Sequence, residues 1–222
     1  PEPGFVESLL RAWDEGESAM VAAVLLKSGD PGLIDSAGIV CDRTLTAWDY
    51  LTGEPVDRLD VAPDPLGPTG GGALFDREAF NRVGGFDERI FLYYEDLDLA
   101  LRMRMAGYGC RLAAGALASH ESSATLGRRA GAKYRLTGFS RGYLLRKYGV
   151  MRHPGLALKV LLSDSSAGLA QILLDRSAAG LKGRIAGWRA GRDAERLDPP
   201  FDQLEPASLR RHVRVRMRRR RY

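Results

Sequence analysis

Five carboxylates crowd into residues 87–98: Asp87, Glu88, Glu95, Asp96 and Asp98. With 95–106 as a helix, Glu95, Asp98 and Arg102 fall at i, i+3 and i+7, so Asp98 and Arg102 stand at ion-pairing distance. A surface ion pair is the expectation there. Asp96 turns about 100° away from Glu95 and lies in the first helical turn. The helix dipole favours an ionised carboxylate at that place, and a general base must be ionised to take a proton. Acids also simply decorate helix N-termini, so both readings stand. His120 is the only histidine among the first 150 residues and closes an apolar Ala116-Leu117-Ala118 run. It is either a structural imidazole or a metal ligand, and imidazole with oxygen ligands suits Mn²⁺ or Zn²⁺ better than Mg²⁺. Gly70-Gly71-Gly72 continues into neither a dinucleotide-binding fingerprint nor a P-loop. It reads as a tight turn into a strand, or as backbone that must come close to a sugar or phosphate.

The elements that must position these groups follow from periodicity. Pro3, then Phe5, Leu9, Leu10 and Trp13, predicts a helix over 4–15. The apolar run 20–26 predicts a buried strand, closed by a turn at 28–32. Residues 33–68 read as a long irregular insert with strand-like pieces at 39–41 and 45–50 and a Pro-rich end at 62–68. Such inserts tend to carry function. Behind the glycines, 73–75 reads as a strand, and Asp76 stands at the N-cap of a helix over 77–83 that Gly84-Gly85 stops. A second helix over 95–106 ends at Gly107, and two short strands are expected at 110–113 and 116–119. Beyond Ser122 the pattern is helical, with amphipathic stretches over 133–148 and 156–174. Residues 193–208 read as a Pro-containing linker.

Composition narrows the classes. The 222 residues are 45% hydrophobic and 27% charged, which describes a globular chain. Lys159, Asp164 and Asp175 break the longest apolar run, and no bilayer-spanning helix is expected. The 33 Lys and Arg exceed the 28 Asp and Glu, but eight Arg and no acid lie in residues 209–222. The remaining 25 basic residues face all 28 acids, so the body is mildly acidic and the basic character is a tail. Cys41 and Cys110 form no CxxC pair, which fits a reducing compartment. The sequence opens on Pro1 without a signal-peptide pattern and without Met, so further residues upstream are expected.

Taken in order, the motifs Thr69-Gly70-Gly71-Gly72-Ala73-Leu74-Phe75-Asp76-Arg77, Val83-Gly84-Gly85-Phe86-Asp87-Glu88 and Phe91-Leu92-Tyr93-Tyr94-Glu95-Asp96-Leu97-Asp98-Leu99 carry a resemblance. Arg102, Gly107 and His120 follow them, and Pro3-Gly4-Phe5 and Asp35-Ser36-Ala37-Gly38 precede them. Over about residues 1–150 the chain resembles the second half of GT-A family 2 glycosyltransferases, in particular the rhamnosyltransferase-like and galactofuranosyltransferase-like enzymes of bacterial cell-surface glycans. The resemblance implies an α/β fold: the C-terminal part of a GT-A domain over 1–125, a helical extension over 126–192, then linker and tail over 193–222. It implies inverting transfer from a nucleotide-diphosphate sugar to a glycan or polyprenyl-linked acceptor. Asp96 would be the general base, with Glu95 orienting the acceptor. Asp87, Glu88, Tyr94 and Gly70 to Gly72 would shape the substrate cleft, and His120 would be a metal ligand. The implied cofactor is a divalent cation, Mn²⁺ or Mg²⁺, which needs an upstream Asp-x-Asp for full binding. That motif and the nucleotide-binding βαβ half are not in this sequence, and Asp96-Leu97-Asp98 belongs to the carboxylate helix. A fragment lacking its donor half, inactive by itself, is therefore expected.

Residues 154–192 resemble the C-terminal helices of the same family. They imply a cytoplasmic protein, peripheral at the inner face of the plasma membrane, with the Arg tail drawn to anionic lipid. Helices packed on the catalytic domain or on a second copy in a homo-oligomer are the alternative. An inactive membrane-surface or scaffold module remains the second functional class. A nucleic-acid binder rests on the tail alone and is not expected, because no aromatic platform accompanies the arginines.

Overall fold

A computed structural model describes residues 1–14, 18–121 and 130–209. In chain order the elements are α1 (Phe5–Asp14), β1 (Ser18–Lys27), β2 (Asp30–Ser36), β3 (Ile39–Cys41), β4 (Ala47–Asp49), β5 (Ala73–Phe75), α2 (Arg77–Arg82), α3 (Glu95–Met105), β6 (Gly109–His120), α4 (Ala130–Lys147), α5 (Pro154–Asp175) and α6 (Ala179–Ala190). Short 3-10 turns stand at Val56–Val61 and Val150–Arg152. The chain forms two compact units. One holds Pro1–Val40, Asp49–Arg89 and Glu95–Thr125; the other holds Cys41–Trp48, Ile90–Tyr94 and the described part of Leu126–Tyr222. β3 and β4 pair as a separate two-stranded ribbon.

In the first unit β1 is the central strand. Met20 to Leu26 contain no polar side chain, and all are buried, as a strand covered on both faces requires. β6 runs parallel along one edge of β1, while β5 pairs antiparallel at Met20 to Ala22 and β2 at Leu25 to Lys27 on the other. Side chains alternate between two cores. Val21 and Ala23 meet Leu9 and Ala12 of α1, whereas Val24 and Leu26 meet Ile34, Ala37 and Leu59.

Two strand expectations change. Residues 30–36, read as turn and irregular insert, form β2. Pro31 and Gly32 are exposed at its start, where an edge strand tolerates them. The two strands expected at 110–113 and 116–119 are one strand, β6. Its register runs from Ala22 opposite Leu112 to Val24 opposite Leu117, so two steps on β1 face five on β6. Small residues make that bulge fit beneath α1: Ala113 and Ala116 pack in its core, and a Cβ on Gly115 would lie 3.2 Å from Ser8 Oγ.

Helix boundaries follow the sequence more closely. Asp76 caps α2 by accepting from the Ala79 amide at 2.8 Å, and Gly84 and Gly85 leave the helix with φ of +82° and +63°. α1 runs Phe5–Asp14 against an expected 4–15, whose last residue lies outside the described residues. α3 buries Leu97, Leu99, Leu101 and Met103. The 62–68 segment is fastened to it: Arg104 donates to the carbonyls of Pro65 and Leu66, and a Cβ on Gly67 would collide with the Ala100 methyl.

In the second unit α4 and α6 touch backbone to backbone. Gly138 and Gly142 of α4 face Gly180 and Arg184, and Gly183 and Gly187 of α6 face Arg135 and Phe139, with no room for a Cβ at any of the four glycines. This is small-xxx-small packing, with the glycines of each helix four residues apart. Asp164 of α5 lies 3.4 Å from Arg141 Nε of α4 and 3.6 Å from Arg184 Nε of α6, joining three helices through buried charge. The 193–208 linker is irregular but docked: Leu197 N–H donates to Lys147 O, Glu205 N–H to Cys41 O, and Leu204 is buried. α5, where no spanning helix was expected, has 22 residues and is long and apolar enough to cross a membrane by length and composition alone. The Arg-rich segment 210–222 lies outside the described residues.

Candidate functional site

Glu95 and Asp96 open α3, side by side in its first turn. Asp96 Oδ1 accepts from the Leu97 amide at 2.8 Å and Oδ2 from the Gly70 amide at 3.3 Å. The glycine turn and the carboxylate helix are thus brought together. Gly70 to Gly72 divide into two roles. Gly72 N–H closes a turn onto Thr69 O, and Cβ atoms on Gly71 and Gly72 would press on Leu25 and Ala23 of β1 at 2.9 Å. Close packing explains those two glycines. Gly70 is exposed, and a Cβ there would stand 3.7 Å from Glu95 Oε1.

The electrostatics differ from the dipole expectation. Burial raises the pKa of both Glu95 and Asp96. Asp96 adds to the shift of Glu95. The Leu97 and Gly70 amides oppose the shift of Asp96, and the charge of Asp49 adds to it. Desolvation therefore outweighs the helix terminus. The result is a pair of carboxylates more basic than solvated ones, which makes them better proton acceptors. Glu95 Oε2 is buried without a hydrogen-bond partner, an acceptor positioned to receive a ligand hydroxyl.

Asp98 corrects the surface reading of its ion pair. Its side chain is fully buried, Arg102 Nε donates to it at 2.8 Å, and Arg102 Nη1 reaches Val83 O. The pair fastens α3 to the end of α2 and is not part of the reacting surface. Asp87 accepts from the Arg89 amide in a local turn, and Glu88 is exposed. Tyr94 falls in the second unit. It and Tyr93 adopt φ of +70° and +67°, consecutive left-handed residues that cost of order 1–3 kcal/mol each and end where α3 begins.

His120 ends β6, and its Nδ1 lies 2.6 Å from Asp35 Oδ2. A carboxylate only accepts, so Nδ1 carries the hydrogen, and in the neutral tautomer Nε2 has the lone pair. That donor chemistry fits one arm of a divalent-cation site. Among the described residues no group of three His, Cys, Asp or Glu is close enough to hold a metal by itself. Asp35, against His120, and Asp49, whose charge acts on Asp96, are neighbours of the candidate residues that sequence reading missed as individuals. Asp35 lies in the Asp35-Ser36-Ala37-Gly38 segment, but only folding places it beside a histidine 85 residues away. Cys41 and Cys110 are free and buried; burial pushes both thiols up, Cys110 to about 12, so neither offers a thiolate.

With this geometry in view, the likenesses to known proteins gain meaning. A family model described as Glycosyl transferase family group 2 matches residues 47–172, which include Gly70, Glu95, Asp96 and His120. Two curated relatives from two strains of Mycobacterium tuberculosis are described as N-acetylglucosaminyl-diphospho-decaprenol L-rhamnosyltransferase. Each is 40% identical over 118 residues, covering 48% of this chain and 38% of the relative. The chain thus spans well under two thirds of the relatives' length. The match takes in the carboxylate helix and the strand that ends in His120, so the chain belongs to the group 2 family of glycosyltransferases and is rhamnosyltransferase-like.

Proposed function

We propose that this chain provides the acceptor side of an inverting glycosyltransferase that moves a rhamnose- or galactofuranose-like sugar from a nucleotide-diphosphate donor to a polyprenyl-linked or cell-surface glycan. The observation that carries the reading is the Glu95–Asp96 pair held against the Gly70 amide, with both carboxyls made more basic by burial. The names of the relatives, which act on a decaprenol-linked acceptor, support the acceptor class.

In this reading Asp96 takes the proton from the acceptor hydroxyl as its oxygen attacks the anomeric carbon. The new C–O bond forms while the bond to the diphosphate oxygen breaks, and the nucleoside diphosphate leaves with its electron pair. Glu95 Oε2 accepts from a neighbouring acceptor hydroxyl and holds the nucleophile in line. Asp87 and Glu88 belong to the proposed acceptor surface. A divalent cation, when bound, neutralises charge on the diphosphate. His120 Nε2 is the one ligand proposed from this chain, with its tautomer set by Asp35.

The decisive experiment is Asp96→Asn in the full protein, assayed with nucleotide sugar and polyprenyl-diphosphate acceptor. Turnover falls by about 10²–10⁴ while donor affinity stays within a factor of two or so. Near-normal turnover would remove Asp96 from the base role. For His120→Ala, titration of Mn²⁺ followed by its electron-spin signal reads metal affinity without reference to activity; unchanged affinity returns His120 to a structural role.

A further inference from the structure

α5 wears its polarity inside out. At 100° per residue, Leu158, Leu161, Leu162, Leu169, Ile172 and Leu173 lie within about 120° of arc, and each is between 42% and 67% exposed. The opposite arc holds the buried Val160, Ser163 and Asp164, and Asp164 meets Arg141 and Arg184 there. A helix bathed in water places its leucines inward and its charges outward. α6 repeats the arrangement on a smaller scale. Its glycines face α4, while Leu181, Ile185 and Trp188 share an exposed face beside the exposed Lys182 and Arg189.

The charges around these faces are mostly of one sign. Exposed Arg152 and Arg176 bracket α5, and Lys182, Arg189 and Arg192 follow, against a single exposed acid in 150–192, Asp175. Apolar side chains flanked by long cationic ones, with an interfacial tryptophan, match the headgroup region of an anionic bilayer.

We propose that the outward faces of α5 and α6 dock into the surface of an anionic phospholipid bilayer, with α5 lying in the plane of the interface and not crossing it. Crossing is disfavoured by the partners of α5. Asp164, at the middle of the helix, is ion-paired to arginines on α4 and α6. Those helices have 18 and 12 residues, and α6 would span only about 18 Å of a hydrocarbon core about 30 Å thick. Its length and its cations keep it at the surface. This inference deepens the proposed lipid-linked acceptor by naming the surface through which the protein would reach it.

The test uses the full chain, without donor or acceptor, and vesicles of phosphatidylglycerol mixed with phosphatidylcholine. Cosedimentation shows binding that weakens at least tenfold on pure phosphatidylcholine and at least tenfold in the Leu162→Glu/Leu169→Glu variant, whose fold is checked by circular dichroism. Both leucines are exposed, so the variant retains its helices; Lys182→Glu/Arg189→Glu is a second variant that weakens binding through charge. Lipids brominated near the headgroup quench tryptophan fluorescence more than lipids brominated near the chain ends, and Trp188→Phe removes that difference. Equal binding by both variants, stronger quenching from the chain ends, or a leucine-dependent dimer that ignores vesicles would each overturn the proposal. Asp96→Asn leaves vesicle binding unchanged, so failure of the transfer reading and failure of this one are read separately.

Discussion

At the scale of single residues, the two adjacent carboxyls to which the chemistry is proposed to belong are buried, and that burial has a cost visible in pH dependence. The folded state holds protons on Glu95 and Asp96 more tightly than the unfolded chain, whose ordinary values are 4.5 and 3.8. The pair's contribution to stability is therefore most favourable at low pH and declines as pH rises from the ordinary carboxylate range through the raised values. Glu95→Gln removes one buried charge and keeps the shape. Its melting temperature should exceed that of the parent at neutral pH, with the gap closing as the buffer is taken to acid; a gap that widens in acid contradicts the shift. On the proposed base role of Asp96, the same raised values set the acid limb of transfer activity above the ordinary carboxylate range, and Asp49→Asn moves that limb downward because Asp96 loses the negative charge that adds to its shift. A pH–rate profile of the variant checks this. The acids and the glycines were legible as letters in sequence. That burial would overrule the helix dipole was not, because burial is a property of the folded chain, and the Asp49 charge and the Gly70 amide that also act on Asp96 are distant in sequence.

At the scale of elements, packing tolerances separate residues that look alike. Gly70→Ala meets only ordinary contact and should leave stability nearly unchanged while lowering activity. Gly67→Ala collides with Ala100, and Gly187→Ala with the Phe139 carbonyl, so each should lose about 1–3 kcal/mol or more in urea unfolding. Equal behaviour of all three would mean the backbones of α3, α4 and α6 yield more readily than their contacts suggest. Asp98→Ala leaves Arg102 partly buried without its partner and should lose about 3–5 kcal/mol. Arg102→Leu in the same chain should recover part of that loss, as a double-mutant cycle would show. Caps and stops at Asp76, Gly84 and Gly107 were readable because they act within one turn of their own helix. β2 and the bulge of β6 were not, because an edge position and a two-against-five register belong to strand pairing and leave no local pattern.

At the scale of the whole molecule, the balance of charge follows the sequence, and its use depends on the folded surface. The acidic body and the eight arginines of 209–222 were visible in composition. Deleting 210–222 should weaken binding to anionic vesicles and reduce its dependence on salt, each arginine near the surface contributing about 1 kcal/mol. Some binding should persist through the leucines of α5, read by cosedimentation across a salt series. Complete loss of binding would assign the membrane contact to the tail alone. Duplex DNA in place of vesicles should bind weakly and lose that binding at moderate salt, since charge without base contacts gives little else.

The sequence by itself determined what is written in short spans. It carried the α/β class, the buried central strand, the helix boundaries with their caps, and the ordered motifs by which the family is recognised. Tertiary structure decided what depends on distant atoms. It placed Asp35 on His120, pressed the Gly70 amide onto Asp96, buried the Asp98–Arg102 pair and left the leucines of α5 facing outward. Periodicity records only that a helix has two faces. Which face is covered is a property of the partners that fold against it, and in α5 those partners are two arginines that draw its one mid-helix acid inward.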